Sequence, residues 1–293
     1  MSGVVYACVT PHGHEVIPEL ARAAGGSAPE DFAPTREAME EVGRRLRRAD
    51  PDVVVLASPH NLRLDGGYTA VVTAANLAGR LESGEAVVEA RFPGDREWSG
   101  RLLARARAEG IPVVGANFGG LEGPTSEMAL DWGSVIPLYF IGERQASARE
   151  RVVVGPRPGG RLRVVVIGPS RQVPPAVLVR LGELVAEVAA ETGTRVAFVA
   201  SADQAHAHRA DGPYGYHPAA AVYDELVKAV VAEGRLEDLL TFDPALVEEA
   251  KPDAYWQMLL LLGVLRVVPL RVQLLAYQVP RYYGMLTASY DPA

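Results

Sequence analysis

Asp52–Asn61 (DVVVLASPHN) constrains this chain more than any other stretch. Val53–Ala57 is an unbroken run of apolar, mostly β-branched residues, the composition of a strand covered on both faces in a parallel sheet. Ser58-Pro59-His60 ends it, because Pro has no N–H to offer the ladder of a central strand. The imidazole of His60 is therefore expected just past the carboxyl end of a strand, the edge where open α/β sheets bind their ligands. The construction occurs twice more. Val4–Val9 (VVYACV) runs into Thr10-Pro11-His12-Gly13-His14-Glu15, and Val196–Ala200 (VAFVA) runs into Ser201–His208 (SADQAHAH). Of the six histidines, His12, His14, His60, His206 and His208 follow one of these strands directly, and His217 comes nine residues after the last of them. Clustering of this kind predicts a site at one edge of a sheet.

Further strands are expected at Tyr68–Ala74, Glu85–Phe92, Ile111–Gly115, Val135–Ile141, Val164–Gly168 and Val267–Tyr277. Helices are expected at Arg36–Arg48, from an Asp95 N-cap to Glu109, and at Ala176–Thr192, Pro218–Glu233, Pro244–Ala250 and Tyr255–Val264. Gly25–Pro34 reads as a loop. Gln145–Arg163 reads as a polar hairpin or surface excursion, with candidate ligands on both sides of it, so it is not taken as a domain boundary. Strands alternating with helices predict an α/β fold. The expectation is a single domain over residues 1–293, with a central, mostly parallel or mixed sheet flanked by helices. The glycine-rich Asn117–Gly123 (NFGGLEG) lacks the spacing of a phosphate-binding loop.

The formal charge of −7 comes with no basic stripe, which argues against a nucleic-acid partner. Cys8 is the single cysteine, so an intrachain disulfide and a CxxC metal or redox pair are both excluded. The most apolar window, Met258–Tyr277, is interrupted by Arg266, Pro269 and Arg271 and does not predict a membrane span. No signal peptide is evident, and a cytoplasmic protein is expected.

A mononuclear iron(II) site that activates dioxygen uses imidazoles and a carboxylate on one face of the ion and leaves the other face open. His12 and His60 are the imidazoles of choice, each presented rigidly after a proline at a strand end. His14 and His208 are alternates, two residues from His12 and His206, and in extended backbone such pairs share a face. His206 suits an acid/base role, since imidazole titrates near neutrality. His217, in GPYGYHP, lines a lid or has no chemical role. The residues alone leave the carboxylate open among Glu15, Asp131, Asp203, Glu248, Glu249 and Asp253, and Asp253 fits equally well as the N-cap of the helix after it.

Taken together these stretches resemble the class III extradiol ring-cleaving dioxygenases, the superfamily of the protocatechuate 4,5-dioxygenase β subunit. TPHGHEVIPEL is similar to that family's PHPPxxxPE pattern, with Pro18-Glu19 in register; ASPH is similar to its SPH, and SADQAHAH to its SGDxSH. GPYGYHPAAAVYDE and YQVPRYYGMLTASY also resemble family signatures, so the likeness covers nearly the whole chain. The resemblance implies iron(II) held by His12, His60 and Asp253, with Glu249 as the fallback acid and zinc or manganese as alternative ions. It places the conserved active-site histidine on His206. A small aromatic substrate and dioxygen would be the partners, His14, His208, Tyr214 and Tyr255 would lie about the substrate, and the protein would assemble as a homo-oligomer. Two departures stand out: Asp131-Trp132-Gly133 replaces the family's Asp-His-Gly, and Lys251-Pro252-Asp253 stands where the family carries its ligating Glu. They motivate a rival, a metal-binding protein of the Memo type or a non-catalytic subunit of a heteromer, although the Memo pattern has Cys where this chain has Ala205. A zinc-dependent hydrolase is a further rival, because zinc accepts the same ligands.

Overall fold

The three histidine-bearing runs, with Val164–Gly168, form the parallel centre of a large sheet. The computed structural model describes residues 3–24, 29–119, 125–148 and 151–292. In chain order its elements are β1 (Gly3–Thr10), α1 (Pro18–Ala24), α2 (Ala33–Ala49), β2 (Val53–Ala57), β3 (Thr69–Val72), β4 (Asn76–Ser83), β5 (Ala86–Pro93), α3 (Arg96–Ala108), β6 (Val113–Ala116), β7 (Glu127–Ala129), α4 (Trp132–Ile141), β8 (Glu143–Ala148), β9 (Arg151–Gly155), β10 (Arg163–Gly168), α5 (Pro175–Thr192), β11 (Arg195–Ser201), α6 (Ala219–Ala232), α7 (Pro244–Ala250), α8 (Tyr255–Val267), β12 (Arg271–Gln278) and β13 (Met285–Asp291). The eight-stranded sheet has the order β12-β13-β1-β11-β2-β10-β3-β6. Its central four strands, β1, β11, β2 and β10, all run parallel. Thr10, Ser201, Ala57 and Gly168 therefore end at one edge, and the loops carrying His12, His206 and His60 leave from it together.

Both faces of this sheet are covered, which is why its strands read as unbroken apolar runs. Val53, Val55 and Ala57 point into one core with Phe198, Leu184 and Leu260, while Val54 and Leu56 point into a second core with Met39, Phe140 and Val88. On the first face α5 and α8 cross at glycines. A Cβ on Gly263 would lie 1.9 Å from the Val179 carbonyl oxygen, and one on Gly182 would lie 2.0 Å from that of Leu260, so only glycine permits this approach.

One expected element is corrected, and two features go beyond the expectation. The fold is mixed α/β as predicted, but it holds a second, five-stranded sheet in the order β7-β4-β5-β9-β8. Within Gln145–Arg163 the hairpin is present, yet β9 pairs with β5 and buries Val152 and Val154, so it belongs to this sheet and is not a surface excursion. Val135–Ile141 is not a strand but most of α4. Its side chains are buried all round, which removes the amphipathic period that separates helix from strand in a short apolar run. The local helix signal was present: Asp131 caps α4, accepting from the Ser134 N–H at 3.0 Å. Gly25–Ala28 of the expected loop and Gly120–Gly123 of the glycine-rich segment lie outside the described residues. Among the described residues no helix is long and apolar enough to cross a membrane.

Candidate metal centre

His12 Nε2, His60 Nε2 and Asp253 Oδ2 converge from three distant parts of the chain. The two nitrogens are 3.1 Å apart, and Asp253 Oδ2 lies 3.1 Å from that of His60 and 3.4 Å from that of His12. Metal bonds of about 2.0–2.1 Å put neighbouring donor atoms roughly 3.0–3.4 Å apart, so this triangle has the dimensions of one face of a coordination sphere. Among the described residues, these three have side chains that could together hold an ion. Two further features fit such a group. Imidazole nitrogens in van der Waals contact need a proton or a cation to relieve lone-pair repulsion, and the second oxygen of buried Asp253 has no hydrogen-bond partner.

The surroundings of His12 fix which nitrogen faces the triangle. Pro137 has no N–H, so the carbonyl of Gly133, four residues before it in α4, receives no bond from it along the helix. That carbonyl accepts instead from Ser201 Oγ–H at 2.5 Å. With its proton committed there, Ser201 Oγ accepts from His12 Nδ1–H at 2.9 Å, leaving the Nε2 lone pair for the centre. Asp203 holds the same loop, its Oδ1 accepting from the His12 backbone N–H at 3.0 Å. His60 is presented by Ser58, whose hydroxyl donates to Asp131 Oδ1 at 3.1 Å. The N-terminus of α4 closes over this loop so tightly that a Cβ on Gly133 would come within 2.7 Å of Ser58 Oγ. Ser201→Ala is expected to weaken divalent-metal binding about 10–100-fold with the fold intact, since outer-shell partners of ligating histidines have effects of that order. A metal titration followed by circular dichroism checks both halves; unchanged affinity would show that the relay does not set the tautomer.

The charges settle accordingly. Burial opposes protonation of His12, but the carboxylates of Asp203 and Asp253 outweigh it and lift its pKa to about 9. Burial would raise Asp253 too, yet the imidazoles of His12, His60 and His206 around it prevail and hold it well below the ordinary carboxylate range. For Asp203 burial wins over His12 and pushes it up to about 6.

A cavity of about 770 Å³ opens over the triangle, walled by His14, Trp132, Arg171, Tyr214, Tyr282 and Tyr283 among others. His206 reaches it from the far side, its Nε2 3.8 Å from Asp253 Oδ2 and its ring stacked on Tyr283 at 5.4 Å. Trp132 lies against His60, with ring centroids 4.2 Å apart and planes 31° apart. Of the residues expected about a substrate, His14 and Tyr214 line the cavity, and two do not. His208 Nε2 pairs with the fully buried Asp224 at 2.8 Å, and the Tyr277 hydroxyl donates to the same oxygen at 2.7 Å. Tyr255 turns inward and donates to the Leu239 carbonyl at 3.0 Å. His217 accepts from the Ala219 N–H at the start of α6.

Of the other acids, buried Asp203 stays beside the triangle, its Oδ2 3.3 Å from His12 Nε2, and Asp131 holds Ser58 and the start of α4; the remaining three point elsewhere. Glu15 pairs with Arg281, Glu248 with Lys251, and the half-exposed Glu249 lies 3.9 Å from His217. Sequence reasoning passed over Ser201, Gly133 and Pro137 as a unit, and Arg63 and Arg171 altogether. Only Pro137, a helix breaker in an apolar run, carried a readable signal.

Comparison with known proteins now bears on this geometry. The family model described as "Catalytic LigB subunit of aromatic ring-opening dioxygenase" matches residues 6–287. Protein CA_C1420 of Clostridium acetobutylicum is 24% identical over 269 residues, which cover 92% of this chain and 53% of that protein; the chain thus spans about half the length of this relative. The crystal structure of the uncharacterized protein JW3007 from Escherichia coli K12 superposes with a TM-score of 0.58 at 16% identity, covering 97% of this chain and 99% of the other, a likeness of fold.

Proposed function

The chain belongs to the family of catalytic LigB subunits of aromatic ring-opening dioxygenases, and from that premise we propose that it is a non-haem iron(II) extradiol dioxygenase, cleaving the ring of a catechol-like or 2-aminophenol-like aromatic with dioxygen. The observation that carries the reading is the triangle of two imidazole nitrogens and one carboxylate oxygen, 3.1–3.4 Å on its edges, at the floor of a cavity large enough for an aromatic acid. His12, His60 and Asp253 would hold the ion. Two neutral imidazoles and one carboxylate form the donor set associated with iron(II) oxygenases, although zinc or manganese accepts the same atoms. A bound ion supplies one centre where the two ortho heteroatoms of the substrate meet dioxygen, with electron density passing from ring to oxygen.

The rest falls to the side chains. Trp132, Tyr214, Tyr282 and Tyr283 line the cavity and offer flat apolar surface to an aromatic ring. His206 takes a proton from a substrate hydroxyl at Nε2 and returns it later in the cycle. The protein in this reading works in the cytoplasm as a homo-oligomer. Loading with iron(II) under anaerobic conditions and then exposing the protein to oxygen with a panel of catechols and 2-aminophenols is expected to give stoichiometric oxygen uptake and a yellow ring-opened product. Absence of uptake with every ortho-diol and aminophenol, despite bound iron, would sink the proposal. It would favour the second reading, metal binding without turnover, for which Trp132 stacked on His60 is the motivating feature. Activity that persists without oxygen and with zinc would point to hydrolysis instead.

A further inference from the structure

The cavity is also lined by two guanidinium groups that no carboxylate contacts directly among the described residues. Arg63 lies in the loop after β2 and Arg171 in the loop after β10, so both leave the same sheet edge as the metal triangle, from neighbouring strands, and both line the cavity. The third cation there, Lys251, is already paired, its Nζ 2.6 Å from Glu248 Oε1. Among the described residues Arg63 and Arg171 have no ion pair or hydrogen bond within the protein, and Asp65, on the same loop as Arg63, pairs with neither. Arg171 is nevertheless held in place, with its guanidinium 4.4 Å from the centre of the Trp256 ring. Trp256 stands in the first turn of α8, three residues after Asp253, so the cation is set at a fixed position relative to the triangle. Partial desolvation, and then the like charge of Arg63, press the pKa of Arg171 downward and prevail over the more distant acids Asp253 and Glu248. Two like-charged guanidinium groups without a directly bonded acid, one of them stacked into place, favour an anion that comes between them.

We infer that Arg63 and Arg171 form the recognition site for an anionic oxygen group on the substrate, a carboxylate in preference to a phosphonate, so that the substrate is an aromatic acid bearing its charge away from the ortho heteroatoms. A guanidinium offers paired N–H donors in the geometry of a carboxylate and keeps its charge at every working pH. The inference rests on the ring-cleaving reading for the aromatic part of the substrate, but the anion site stands on its own observations.

Binding to the metal-loaded protein under anaerobic conditions tests it without turnover. The probes are 3-(3,4-dihydroxyphenyl)propionate, its carboxamide, and the corresponding phosphonate, each titrated calorimetrically. The carboxylate is expected to bind roughly ten- to a hundredfold more tightly than the carboxamide, the usual worth of a charge-assisted hydrogen-bonded contact. In Arg171→Met and in Arg63→Met that ratio falls toward one, and Arg171→Lys recovers part of it. A phosphonate that binds more tightly than the carboxylate overturns the stated preference. Equal affinity of carboxylate and carboxamide for the wild type, or a preference that survives in the double Arg63→Met, Arg171→Met variant, overturns the inference. The two readings fail separately: an arginine-dependent preference without any oxygen uptake leaves the anion site standing and removes ring cleavage, while oxygen uptake indifferent to the acid does the reverse.

Discussion

Asp253→Asn is expected to abolish stoichiometric metal binding while leaving the fold in place. The substitution keeps the shape of the side chain but removes the charge and replaces one donor oxygen by an N–H group that cannot ligate. Losing a charged ligand from a three-residue site costs about 4 kcal/mol of binding, roughly a thousandfold in dissociation constant. Asp253 is buried and is approached by His60 at 3.1 Å and His12 at 3.4 Å, while the neighbouring buried acid, Asp203, 3.3 Å from His12 Nε2, is tied through its Oδ1 to the His12 backbone N–H. Glu249→Gln serves as the control, because Glu249 faces outward beside His217, and metal binding there should be unaltered. Proton release sharpens the test. With His12 titrating at about 9 in the metal-free protein, the ion must displace a proton from Nε2 at neutral pH. Calorimetry in buffers of different ionisation enthalpy should therefore read about one proton released per metal bound at pH 7, and affinity should rise with pH until about 9. The same raised pKa means that His12 contributes stability to the metal-free fold fully below its ordinary value of about 6.5 and loses it as the pH climbs through 9. Retention of tight, stoichiometric binding by Asp253→Asn would remove this residue from the centre.

How much of this was written in the sequence differs from residue to residue. His12 and His60 were legible because the signal is local: an apolar β-branched run, then a proline that must end it, then an imidazole. Burial of both sheet faces produces that run, and the parallel order of the central strands brings its ends together. Asp253 carried no such signature. It follows α7 through Lys251, which turns the chain at a positive φ of 56°, and only the likeness to a known family singled it out from other acids. His208 and Tyr255 were misplaced because side-chain direction there is tertiary. After β11 the chain leaves the eight-stranded sheet, with the His206 N–H bonded to the Ala250 carbonyl and the His208 N–H to that of Tyr282. The two imidazoles are thus drawn apart, one to the cavity and one to Asp224, and the rule that residues two apart share a face no longer applies. Of the relay from Pro137 through Gly133 and Ser201 to His12 only the proline shows in the sequence, because a proline frees a carbonyl four residues earlier only in a helix, and the apolar run Val135–Ile141 has no helical period.

His206→Gln is expected to separate chemistry from metal binding. The imidazole stands 3.8 Å from Asp253 Oδ2, beyond the reach of the triangle proper, and Tyr283 and the bond from its backbone N–H to Ala250 hold its ring over the cavity. Its Nδ1 is buried, with no hydrogen-bond partner among the described residues. In this it contrasts with His12, whose tautomer Ser201 dictates. Among the described residues no hydrogen bond fixes the His206 proton as Ser201 fixes that of His12, which suits a group that must take a proton and give it back at Nε2. If it does so, the glutamine variant should bind iron(II) within a fewfold of the wild type and lose about 10²–10⁴-fold in kcat, the usual span for a general acid–base. The pH profile discriminates this from a structural role: a limb of the wild-type kcat profile should be missing from the variant. Tyr283→Phe, which keeps the stacked ring, should change the rate far less. Were His206→Gln to retain full turnover with an unchanged profile, the proton would have to travel through His14, the other imidazole on the cavity wall, and the division of labour between ligands and proton carrier would need to be redrawn.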